Sequence, residues 1–183
     1  MAVRRVLQLG DPALREPARC VDDPCAPEIF GLVEDLRDTL AHWRTESGYG
    51  RGIAAPQLGV GLRVVFLNLP GYPDWPLINP EIIWRGEEKI TVWDACLSFL
   101  CIFMQVERHR DIRVRYQNLG GTWHELAAGD HSNLSELLQH EIDHLDGILC
   151  IDRVKDVRTI CTKEEFEARH SAGSPYANAA RKG

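Results

Sequence analysis

Ile29, Phe30, Leu32, Val33, Leu36, Leu40 and Trp43 recur at the three- and four-residue spacing of one helix face. The pattern predicts an amphipathic helix over 26–43 lying on a sheet, entered through Pro27, whose fixed φ suits a first turn. Leu134, Leu137, Leu138 and Leu145 predict a second helix, starting at Ser132 or Asn133. Glu136, three residues after Asn133, would close a capping box, and Gly147 would end the helix. Strand patterns fall at 62–67, at 77–84 with an edge or bulge at Pro80, and at 112–116, which alternates cleanly. Gly120 and Gly121 turn the last of these into a partner over 122–126. A short strand at 148–151, a helix at 162–170 and a loose tail at 171–183 complete the expectation. Residues 48–59, rich in glycine and small side chains, read as a loop that lets backbone approach a ligand closely. The order predicts an α+β fold with one core, its mixed or antiparallel sheets packed around the second helix, in one catalytic domain over 1–170.

Length agrees: a chain of 183 residues buries roughly 70% of its unfolded surface, enough for a core without disulfides. A net charge of −6 gives no basic footprint, so no direct nucleic-acid partner is expected. No apolar run approaches the roughly 18 residues of a membrane span, and no membrane partner is expected. The opening residues 1–5 do not lead into a secretory signal, which predicts a cytoplasmic protein, or one of an organelle matrix after loss of a transit peptide. The six cysteines contain no CxxC pair and read as reduced thiols.

The strongest chemical signal is His140-Glu141-Ile142-Asp143-His144. Residues four apart share a helix face, so both imidazoles point the same way, with Glu141 one step around. Two histidines leave a third ligand to find. Downstream, Gly147 and Cys150 fall at the spacing of an HExxHxxGxxH protease, with Cys150 where the last histidine should stand. Such a protease needs a methionine turn after the motif, and the only methionines, Met1 and Met104, lie upstream. Cys150 then reads as a small buried residue. Upstream, Cys96 stands in Asp94-Ala95-Cys96-Leu97-Ser98.

Three segments in order, Gly50 to Gln57, Asp94 to Ser98 and Gln139 to His144, resemble the GxGxAAxQ, EGCLS and QHExDH motifs of peptide deformylases. The resemblance implies removal of the formyl group from formyl-methionyl peptides of nascent chains, with the ribosome as the partner such substrates bring. It implies Cys96, His140 and His144 as ligands of one divalent metal ion, Fe²⁺ in cells, with Zn²⁺, Ni²⁺ or Co²⁺ tolerated. Three protein ligands would leave a coordination position open, as catalytic centres do. Glu141 would be the general base and acid; Gln57 and the backbone N–H of Leu97 would bind the oxyanion. Gly50, Gly52, Ile53 and Ala95 would line the substrate path.

The second motif departs from the family pattern. Its glutamate is Asp94, whose shorter arm is expected to loosen an ion pair with Arg108, and its glycine is Ala95, strained if that position needs φ > 0. Phe99 to Met104 forms an apolar run that reads as a buried strand or a hydrophobic lip, with Cys101 as a second thiol near the metal in a minor reading. Arg51 reads as solvated and Glu136 as a cap. Two alternatives stay open: an amidase of the same chemistry with another substrate, and a metal-binding homologue without the activity.

Overall fold

In the computed structural model, which describes residues 3–129 and 133–171, the first apolar pattern folds as α1, Pro27–Ser47. Ile29, Leu32, Val33, Leu36 and Leu40 face inward. Phe30 sits about 100° around the helix from Ile29 and points to solvent. Gly48, at φ 77°, ends the helix in the left-handed conformation that glycine adopts without strain.

Eight strands follow: β1 Gly52–Ala54, β2 Val64–Leu67, β3 Trp75–Arg85, β4 Lys89–Asp94, β5 Ile102–His109, β6 Ile112–Gln117, β7 Trp123–Ala128 and β8 Cys161–Thr162. They form a five-stranded sheet, β1-β2-β3-β6-β7, and a three-stranded sheet, β4-β5-β8. The pairings are antiparallel. The expected bulge at Pro80 is present as a register shift between Ile78 and Glu81. It places Asn79 at φ 52°, where its amide bonds the backbone of Val21 and the side chain of Gln117.

α2, Leu134–Leu145, fills the space between the sheets, against β1, β2 and β3 on one side and β5 on the other. Alternation along β2 divides the core: Val64 and Phe66 face α1, while Val65 and Leu67 face α2. Every residue of α2 is buried, its polar ones included. Those polar groups are paired rather than solvated: Gln139 grips the backbone N–H and C=O of His109, and Asp143 takes Arg108 and Arg153.

Several expectations are corrected. Of the two candidate caps, Ser132 lies outside the described residues, and Asn133 occupies the cap position without a side-chain capping bond. Glu136 is no cap either, because a buried guanidinium, that of Arg51, competes for its carboxylate. The strand expected at 148–151 is a 3₁₀ turn, Cys150–Arg153, held by Asp152, whose carboxylate accepts from the N–H of Leu149. The loop at 48–59 contains β1, too short and too buried on both faces to show alternation. The Phe99–Met104 run splits: Leu97–Phe99 is a 3₁₀ turn and β5 starts at Ile102. Cys101 is exposed and joins no metal-ligand grouping among the described residues. Gly147 ends α2 as expected, at φ 71°; a Cβ there would lie 2.4 Å from the carbonyl oxygen of Arg15, so its backbone packing also requires glycine. The helix expected at 162–170 is α3, Lys163–Arg169, and the expected tail from 172 onward lies outside the described residues.

Candidate metal centre

His140 and His144 project from one face of α2 with ring centroids 5.0 Å apart, and Cys96 meets them from the β4–β5 connection. One ligand atom from each of the three lies within 4.8 Å of the others, and the Cys96 Sγ stands 3.2 Å from His144 Nε2. All three are buried, so the reading of two solvated histidines on a surface helix does not hold. A thiolate and two imidazoles form a donor set suited to a transition metal such as Zn²⁺ or Fe²⁺.

The support behind these ligands is ionic. His140 Nδ1–H donates to Asp94 Oδ1 at 2.8 Å, which leaves Nε2 for the site. Asp94 Oδ2 accepts from Arg108 Nη2 at 3.0 Å, and Arg108 Nη1 reaches Asp143 at 2.5 Å. Aspartate at this position does not loosen the pair, because the end of β4 carries its backbone close enough for both bonds. Burial alone would raise the Asp94 carboxyl, but His140 and Arg108 overcome it and hold the group below the usual carboxylate range. Burial opposes charge on His140 too, yet Asp94 raises its pKa; His144, buried and facing His140, is lowered and stays in the neutral form that ligates.

Cys150, the other candidate ligand, is buried beside Asp94 and His140, with its Sγ 4.0 Å from Met104 Sδ. Burial, with Asp94 adding to it, pushes its thiol up to about 12, which keeps it a neutral packing group.

A cleft of about 420 Å³, open to solvent, reaches this centre. Gly50, Gly52, Gln57, Ala95, Leu97, His140 and Glu141 are on its wall; Ile53 instead turns its side chain into the core beneath α1. Glu141 is buried, its Oε2 has no hydrogen-bond partner among the described residues, and burial pushes its carboxyl up to about 7. The Gln57 amide is oriented by the N–H of Ala54, which donates to Oε1 at 2.9 Å and turns Nε2 toward Cys96 and Ser98. Ala95 shows no backbone strain: among the described non-glycine residues only Asn79 has positive φ.

The glycine of β1 has a direct steric reason. A Cβ on Gly52 would stand 2.5 Å from Glu141 Oε1 and 2.8 Å from Leu67 Cδ2. Gly52→Ala therefore displaces the carboxylate, and formyl-peptide hydrolysis falls by about a hundredfold, the scale of a misplaced catalytic group, with little change in metal content. Unchanged kcat in that variant would show that Glu141 has room to move.

Two features carry no sequence signal. Arg44, from α1, donates to the carbonyl of Gly50 through Nε and Nη2 and to Asn68, bracing the loop before β1. Arg51 reaches across the cleft wall to Glu136, Nη2 to Oε1 at 2.6 Å, in place of the solvated and capping roles expected of them. Both partners are charged residues far apart in sequence, a pattern indistinguishable from surface charge until the chain folds.

An α+β chain with a buried Cys-His-His grouping and an adjacent glutamate at the end of a cleft has the constitution of a metallohydrolase. The polypeptide deformylase family model matches residues 3–159, and the chain belongs to that family. Peptide deformylase of Desulforudis audaxviator is 41% identical over 157 residues, covering 86% of this chain and 97% of that one. The Bartonella tribocorum peptide deformylase is 36% identical over 175 residues, covering 92% and 94%. The fold matches crystallised peptide deformylase from Thermotoga maritima with a TM-score of 0.77 at 33% identity, over 85% of this chain and all of that one.

Proposed function

We propose that this protein holds one divalent ion through Cys96, His140 and His144 and hydrolyses the formyl amide of formyl-methionyl peptides from nascent chains, releasing formate. The observation that carries this reading is the convergence of a thiol and two imidazoles beside a buried, unpartnered glutamate in a chain of this family. An ion bound there supplies Lewis acidity, which makes water a nucleophile near neutral pH. Glu141 takes the proton from the attacking water and then passes it to the leaving amine. Gln57 Nε2, fixed by Ala54, and the backbone N–H of Leu97 donate to the oxyanion; one such donor contributes roughly 3 kcal/mol to the transition state. The backbone of Gly50, Gly52 and Ile53 grips the peptide, and Ala95 borders its path. Fe²⁺ is the ion we assign in cells, with Zn²⁺ and Ni²⁺ able to replace it. No helix among the described residues is long and apolar enough to cross a membrane, and we place the protein in the cytoplasm, acting near the ribosome.

The test is formate release from formyl-Met-Ala-Ser by protein purified anaerobically with Fe²⁺. Release is expected, is lost on chelation and returns with added Fe²⁺. A fully metallated, folded protein that releases no formate sinks the proposal.

A further inference from the structure

The cleft wall holds a feature that the hydrolytic step does not use. Arg51 and Glu136 stand on it, one turn of α2 before His140. The side chain of Glu136 is only 3% exposed, and that of Arg51 14%. Glu136 Oε1 accepts from Arg51, while Oε2 is buried with no hydrogen-bond partner among the described residues. Burial raises the carboxyl of Glu136 and Arg51 opposes that rise. An acceptor buried without a donor is costly to leave unmade, so a group entering the cleft with an N–H or O–H gains there what a purely apolar group cannot. The neighbouring wall is apolar, formed by Leu97, Leu100 and Leu137. It therefore combines an apolar stretch with one unsatisfied acceptor.

We infer that Glu136, held by Arg51, selects the side chain next to the formyl group, favouring N-formyl peptides whose first residue has an unbranched stem ending in a hydrogen-bond donor. The inference rests on the deformylase reading above for the position of the formyl group. With that group between Gln57 and Glu141, the first side chain lies within reach of the wall one helical turn away, about 6 Å along α2. Glutamine matches methionine in length and carries the required N–H; norleucine matches it without one. A site built to bond a donor rejects the analogue that lacks it more strongly than an apolar site rejects a small change in size.

The measurement is kcat/KM of the Fe²⁺ protein for formyl-Gln-Ala-Ser, formyl-Met-Ala-Ser and formyl-norleucyl-Ala-Ser. The glutamine peptide is expected to exceed the norleucine peptide by roughly tenfold, the scale of one hydrogen bond to a charged group. In Arg51→Leu/Glu136→Leu, which removes both charges and leaves neither buried alone, the order reverses. A wild-type preference for norleucine over glutamine overturns the inference, whether or not the double variant folds, as does an unchanged ratio in a folded double variant. If no formyl peptide is hydrolysed, the deformylase reading has failed separately. Calorimetric titration of the metallated protein with Gln-Ala-Ser and norleucyl-Ala-Ser then decides: tighter binding of the glutamine peptide upholds the wall's role, and equal or weaker binding overturns it.

Discussion

Glu141→Gln lowers kcat/KM for formyl-peptide hydrolysis by roughly a thousandfold, the middle of the range for losing a positioned general acid–base. The substitution keeps the size and burial of the side chain and removes its basicity. Metal content stays at one ion per chain, because Glu141 is not among the grouped ligand atoms. The pH profile gives a second check. Burial pushes the Glu141 carboxyl up to about 7, and a cation bound nearby pulls it back down. The ionised form is the base, so the rate is present above this pKa and falls as pH drops through it. The acidic limb of kcat/KM therefore lies at or below pH 7 and disappears from the residual activity of the variant. A variant with wild-type kcat, or one that retains the limb, removes Glu141 from the proton-transfer role.

Asp94→Ala destabilises the protein by about 3–5 kcal/mol, the cost of breaking a buried ion pair from one side. In a chain of this size that is roughly a 10 °C fall in Tm. Two groups lose their partner at once: Arg108, 2% exposed at its side chain, and His140 Nδ1. With the imidazole no longer oriented, metal affinity falls by about 10–100-fold. Since the Asp94 carboxyl is held below its ordinary value in the folded state, its stabilisation is present above the normal carboxylate range and lost as pH falls through that lowered value. Asp94→Glu, which keeps the charge, retains most of the affinity if β4 yields by one methylene. Calorimetric melting with a metal-competition titration measures both effects. A melting point within 2 °C of wild type, a shift of about 1 kcal/mol or less, would show that Arg108 is satisfied without Asp94.

The two predictions share one structural fact: α2 is polar and wholly buried. Its ends and its histidine spacing were legible as sequence, because a helix repeats locally and Gly147 stops it. Its burial was not, since Glu136, Gln139, Asp143 and His144 look like a solvated face. Their partners, Arg51, His109, Arg108 and Arg153, come from other elements. The same limit explains β1, three residues buried on both faces, and the 3₁₀ turn at Cys150, where one carboxylate–amide bond decides against a strand.

The chain alone determined the elements with a long period, α1, α2 and the clean alternation of β6, and it named Cys96, His140, His144, Glu141 and Gln57 through three motifs in order. Tertiary structure decided that Cys96 meets the histidines from a connection between strands, that Asp94 reaches both His140 and Arg108, and that Arg51 and Glu136 stand together in the cleft. The reason is physical: periodicity is a property of neighbours along the backbone, whereas the pairing of buried charges depends on which distant segments packing brings within a few ångströms.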